Sequence, residues 1–157
     1  MADMSAAQAV TGQGVAAKAI EVGNAVAGVA YTWGGKSTAG FDCSGFVSYV
    51  LTQLFPNAPF SGDVAGYINS ARFVDVEDGE RRAGDIVIFP SSGGAVNHIG
   101  IVLDDSRWIG SQSSTGVKAV LFSNTYWGGR PRKIRRLVGL SAVAMQLGRL
   151  APGRMFA

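Results

Sequence analysis

The sequence predicts an α+β fold, with helices near the N-terminus packed on an antiparallel β-sheet built from the rest of the chain. Three observations lead there. An alanine-rich stretch near the start and an apolar run after position 43 are helical in period. From position 83 onward, short β-branched runs alternate with Gly, Asp and Ser turns, with little room for helices between most of them. Helical segments followed by closely spaced strands form the α+β pattern, whereas regular alternation would indicate a parallel sheet.

Residues 1–12 are small and polar and read as a flexible N-terminus. From Gly14 to Ala27, Val15, Ile20, Val22 and Val26 supply the core face of a first helix. A glycine-studded loop runs from Tyr31 to Gly40. Phe41-Asp42-Cys43-Ser44-Gly45-Phe46 then opens a second helix, in which Phe46, Val47, Val50, Leu51, Leu54 and Phe55 recur at spacings of three and four. Pro56-Asn57-Ala58-Pro59 breaks it. Gly62 to Ala71 predicts a short helix with Val64, Tyr67 and Ile68 inward, and Asp75 to Arg82 reads as a charged surface loop. Strands follow at Ile86–Phe89 after the turn Ala83-Gly84-Asp85, then at His98–Leu103, Arg107–Ser113, Val117–Phe122 and Ile134–Leu140. Residues 13–140 form one domain, and 141–157 read as a C-terminal tail.

Composition narrows the chemistry. At 157 residues, 47% apolar and 16% charged, the chain suits one folded domain and not a disordered segment. No apolar run approaches the roughly 18 residues that span a bilayer. The N-terminus lacks a basic region followed by an apolar one, so no secretory signal is expected. One cysteine and one histidine exclude an internal disulfide and make a metal centre improbable. Gly34-Gly35-Lys36-Ser37 lacks the spacer and leading glycine of a Walker loop.

A single cysteine is most often a small core hydrophobe. Cys43, however, lies between polar Asp42 and Ser44 at a predicted helix start. There, free N–H groups and the helix dipole favour a thiolate. The nucleophile that this suggests needs a base, and His98 is the one imidazole in the chain. A third group is expected to fix the imidazole tautomer. The strand Trp108-Ile109-Gly110-Ser111-Gln112 could pair beside the His98 strand and supply it.

Tyr31-Thr32-Trp33-Gly34-Gly35, Asp42-Cys43-Ser44-Gly45-Phe46-Val47, Ala83-Gly84-Asp85-Ile86-Val87-Ile88-Phe89 and His98-Ile99-Gly100-Ile101-Val102 resemble, in order, the signature blocks of NlpC-like cell-wall cysteine peptidases. The resemblance covers roughly residues 15–140. It implies a papain-like fold, with the nucleophile at a helix N-terminus and the base on the facing sheet. It further implies hydrolysis of peptidoglycan stem peptides, typically at the amide between the D-glutamate γ-carboxyl and a diamino acid, without metal or cofactor. By position, Cys43 would be the nucleophile and His98 the base. Tyr31, Trp33, Asp42 and Ser44 would line the substrate subsites, and the Cys43 N–H would help hold the oxyanion. With no secretory signal expected, the resemblance extends to type VI secretion amidase effectors or a phage lysis component. An effector would have an immunity protein that plugs the groove.

One block departs from the pattern. Where the family usually reads Phe-Ile-His-Ala, this chain has Trp108-Ile109-Gly110-Ser111. Gln112 shares a strand face with Gly110 and is the nominated third residue. A Cys–His dyad, or a contact from Ser111 or the backbone, remains open. A catalytically silent wall-binding module and an acyltransferase on the same scaffold are the rival functions. The basic run Arg130, Arg132, Lys133, Arg135 and Arg136 reads as a solvated edge in the first instance, with anionic wall polymer as its next reading and nucleic acid not expected.

Overall fold

The computed structural model describes residues 10–140. The remainder of the expected flexible N-terminus and the tail 141–157 lie outside the described residues. Helix α1 (Gly12–Ala25) begins two residues earlier than expected, because Thr11 Oγ1 accepts the Gly14 N–H at 2.9 Å. Residues 10–12 are correspondingly not frayed. Val10 packs on the core, and Gly12 lies so close to the Ala83 carbonyl that a side chain has no room there.

The glycine loop contains a two-stranded ladder, β1 (Lys36–Ser37) with β2 (Gly40–Phe41). Gly35 and Gly40 allow close packing there, while Gly34 takes a positive φ in open space. Gly45, in the first turn of helix α2 (Cys43–Leu54), is pressed against the Gly35 carbonyl, and no Cβ fits between them. Asp42 caps α2, its Oδ1 accepting the Gly45 N–H at 2.6 Å. Phe46, Val47, Val50 and Leu51 are buried on the predicted stripe. Helix α3 (Val64–Asn69) is shorter than the expected 62–71. It is capped by Asp63 and bonded to α2 through Tyr67 and Ser48, whose hydroxyls lie 2.6 Å apart.

Strands β3 (Phe73–Val76), β4 (Ile86–Phe89), β5 (His98–Val102), β6 (Arg107–Gln112), β7 (Gly116–Leu121) and β8 (Lys133–Leu137) make one six-stranded sheet in the order β3-β8-β4-β5-β6-β7. Every neighbouring pair is antiparallel. Its two faces bury separate cores. Ile86, Ile88, Ile99, Ile101 and Ile109 meet α1 and α2, while Val87, Phe89, Val102, Trp108 and Ile134 face the other way under Phe122 and Trp127. This is why Ile86–Phe89 is apolar at every position instead of alternating.

Three expectations are corrected. The charged loop 75–82 begins as an edge strand, with Asp75 opposite Arg135 of β8, followed by one 3₁₀ turn at Asp78–Glu80. Its exposed Val74 and Asp75 give a weak strand pattern, which hid it. A short helix α4 (Thr125–Gly128), not expected from the sequence, is capped by Asn124, whose Oδ1 accepts the Tyr126 and Trp127 N–H groups. Lastly, β8 is not a solvated edge but an interior strand, between β3 and β4.

Arg132, Arg135 and Arg136 of the basic run are engaged within the fold. Arg135 is 9% exposed. It donates to the Tyr67, Ser70 and Phe73 carbonyls at 2.8–2.9 Å and pairs with Asp75 at 2.9 Å. Arg136 grips buried Asp85 with two bonds of 2.8 and 2.9 Å, and Arg132 holds Asp78 at 2.9 and 3.0 Å. Replacing Arg135 by Met leaves three main-chain acceptors without their donor, and is expected to cost about 3 kcal/mol in urea unfolding. Arg132→Met, which breaks a more exposed pair, is expected to cost under about 1 kcal/mol.

Candidate active site

Cys43 is the first residue of α2, held there by the Asp42 cap. Its sulfur lies against the backbone N–H of Ile99, the residue after His98, so the start of the helix and the start of β5 meet at this point. The seven residues selected from sequence, Tyr31, Trp33, Asp42, Cys43, Ser44, His98 and Gln112, all line one groove of about 1150 Å³. Trp33 is 88% exposed, which removes it from any core role and leaves it as a rim of the groove. Asp42 and Ser44 are more occupied than expected. The carboxylate caps the helix, and the mostly buried Ser44 hydroxyl donates to it at 3.5 Å.

His98 is buried and its ring meets the Gln112 side chain. The β5–β6 register pairs Ile101 with Ile109 and Val102 with Trp108, and beyond these pairs the two strand ends bring the His98 and Gln112 side chains together. Gln112 Oε1 lies 3.1 Å from His98 Nε2. The amide is oriented by its own nitrogen, which donates to the Lys118 carbonyl at 3.2 Å and to Thr115 Oγ1 at 3.5 Å. Its oxygen therefore faces the imidazole as an acceptor. Nε2 must carry the proton, and Nδ1 is left as the ring's acceptor nitrogen.

The gap at Gly110 explains how Gln112 reaches. A Cβ at position 110 would lie 2.8 Å from Gln112 Oε1. The glutamine thus crosses space that a side chain at 110 would occupy. Ser111, the other open possibility, is engaged elsewhere, since its hydroxyl donates to the Phe41 carbonyl at 2.9 Å.

Burial pushes the Cys43 thiol up, and the neighbouring Asp42 carboxylate adds to this, while the Ile99, Ser44 and Cys43 N–H groups pull the other way. The expected net preference for thiolate at the helix start is therefore corrected: desolvation and Asp42 outweigh the amides. Tyr31 is pushed up too, by burial and then by Cys43 and Asp42. Burial lowers His98 to about 4, opposed by the Gln112 bond and assisted by the Arg130 charge. Thiol and imidazole are consequently both neutral at pH 7.

Sequence reasoning missed Trp127 and Arg130, which line the same groove beside His98. Trp127 stacks on the imidazole with centroids 4.7 Å apart. Nothing local marks either residue, because α4 is only four residues long and Arg130 belongs to the basic run.

A capped helix that offers a cysteine, facing an imidazole on an antiparallel sheet, defines a papain-like α+β protein. The chain belongs to the NlpC/P60 family, whose model matches residues 28–136. It is 34% identical over 115 residues to the probable peptidoglycan endopeptidase LytE of Bacillus subtilis, covering 73% of this chain and 32% of that protein. It is 36% identical to the probable endopeptidase p60 of Listeria seeligeri, over 64% of this chain and 18% of that one. The chain thus spans a third or less of these relatives. The solved NlpC/p60 domain of the peptidoglycan hydrolase SagA superposes with a TM-score of 0.58 at 28% identity, over 76% of this chain and 97% of the domain. NlpC2 from Trichomonas vaginalis has the same fold, with a TM-score of 0.65 at 21% identity over 80% of this chain and 46% of that one.

Two outcomes follow from the buried imidazole. His98 has a folded value below its ordinary 6.5, so the unfolded chain binds the proton more tightly. Its contribution to stability is complete above 6.5 and is lost as pH falls toward 4, amounting to roughly 3 kcal/mol. Denaturation of wild type and His98→Gln from pH 7 to 4 should show that difference in slope. In ¹⁵N NMR the neutral ring should be the Nε2–H tautomer, and Gly110→Ala, by displacing the Gln112 amide, should introduce the other.

Proposed function

We propose that this chain is a cysteine peptidase that hydrolyses peptidoglycan peptides, most specifically the amide joining the D-glutamate γ-carboxyl to a diamino acid. The observation that carries the reading is the tautomer-fixed imidazole and the helix-start thiol lining one groove. Peptidoglycan enters from LytE, a probable peptidoglycan endopeptidase, and SagA, a peptidoglycan hydrolase, to which the chain is similar.

His98 Nδ1 takes the Cys43 proton as sulfur attacks the amide carbon, and the resulting oxyanion is held by the Cys43 N–H. The imidazolium, steadied by Gln112, then protonates the departing amine, leaving a thioester. Water, deprotonated by the same nitrogen, hydrolyses the thioester and restores the thiol. Starting from a neutral pair, the charge separates only within the reaction step. A carboxamide can orient the ring without adding a negative charge beside it.

Gly110 alone would favour a silent wall-binding module. Gln112, filling that space with an acceptor aimed at the imidazole, favours catalysis instead. Under the same proposal, an immunity protein of an injected effector would act by closing this groove. The delivery of such an effector forms part of the proposal.

Incubation with purified peptidoglycan should release muropeptides whose masses name the scissile bond. Cys43→Ala should release none, and Gln112→Leu should lower kcat by about 100-fold. Fragments still released by Cys43→Ala would overturn the peptidase, and masses showing transfer to an acceptor other than water would identify an acyltransferase.

A further inference from the structure

Trp127 and Arg130 do more than fill the second core. The Trp127 indole lies over the imidazole at 4.7 Å and 29°, nearly parallel, while Trp108 meets Trp127 edge-on at 88° and Phe89 closes the third side. The Arg130 guanidinium sits 5.1 Å from the Trp127 centroid. Its Nη2 donates to the Pro90 carbonyl at 3.1 Å and to the Val96 carbonyl at 2.8 Å. Those carbonyls lie at the two ends of the segment that links β4 to His98. One cation therefore pins the segment that delivers the base and also supports the ring stacked on it.

We propose that Trp127 and Arg130 are positioning residues that hold the ring of His98 and the segment that delivers it, an assignment that rests on the reading of His98 as the general base. Gln112 fixes the ring at Nε2 but leaves it free to tilt about that bond. Stacking on Trp127 removes that freedom and excludes water from one face. Burial is the main reason that His98 stays an acceptor in mildly acidic medium, and the guanidinium adds to it by opposing a positive charge on the ring. The other charged or titratable groups lining the groove around His98 are Cys43 and Asp42 at the start of α2, Tyr31 in the loop before it, Asp63 before α3, Lys118 on β7 and Tyr126 on α4. Of the groups acting on the imidazole, Arg130 is the one that acts through charge. A purely structural pair would be satisfied by any residues that conserve packing. A positioning pair must act on the ring itself.

The chain contains a single histidine, so its imidazole signal can be followed by NMR through a pH titration of the full chain. Arg130→Met should move that titration upward from about 4, by only a part of the shift because burial is its larger cause, and should carry the acid limb of kcat/KM with it. Arg130→Lys should keep the titration low. Trp127→Leu should lower kcat on the order of 10–100-fold with KM nearly unchanged, and Trp127→Phe should restore most of it. An unchanged titration in Arg130→Met, or equal kcat in Trp127→Leu and wild type, overturns the proposal. Should Trp127→Leu fail to fold, the two Arg130 variants decide alone. The titration needs no turnover, so its outcome stands even if Cys43→Ala shows that the peptidase reading is wrong.

Discussion

Strands β5 and β6 are held with Ile101 opposite Ile109 and Val102 opposite Trp108, and that register is the constraint on which the groove depends. Sheet side chains alternate between faces, so a slip of one residue would turn Gln112 to the helix side and His98 would face Ser111 or Ser113 instead. The apolar pattern prevents the slip. Ile99, Ile101 and Ile109 must face α1 and α2, while Val102 and Trp108 must face Phe89. Core packing thereby sets the chemistry at the end of the strand. The imidazole meets its acceptor because hydrophobic residues further along leave the strands no other pairing.

Charge works with the same scaffold at a different place. The Arg135 bonds to the carbonyls of Tyr67, Ser70 and Phe73 tie β8 to the end of α3, and the Arg136 fork on Asp85 ties it to the turn before β4. Asp85 also accepts the Arg82 N–H at 2.8 Å, closing that turn. With these side chains bound internally, the strong local basicity contributes to fold connectivity, not to an open cationic surface. Lys118, by contrast, lines the groove on exposed β7.

Much of the fold was legible because apolar period survives wherever one face is buried. The α2 stripe and the runs at β4 and β5 are each fixed by neighbours on the core side. What could not be read depends on partners distant in sequence. Strand β3 is short and half-exposed and owes its existence to Arg135 and Arg136 some 60 residues later, while α4 owes its start to one Asn124 side chain. At the site, Cys43 and His98 stood out as the chain's lone thiol and lone imidazole. Gln112 followed from two-residue strand periodicity. The raised thiol was not legible, because burial and the Asp42 charge are properties of the folded groove. Trp127 and Arg130 were hidden for the same reason.

The shared space between positions 110 and 112 carries a consequence for sequence variation across related chains. Because a Cβ at 110 and the carboxamide from 112 compete for one volume beside the imidazole, the two sites cannot drift independently. A lineage that places a ring or branched polar group at 110 should keep a small residue at 112, and one with glycine at 110 should carry a long acceptor two residues on. The acceptor can thus migrate along the strand while the hydrogen bond stays in place. An alignment scored column by column would record two losses where the molecule has exchanged one solution for another.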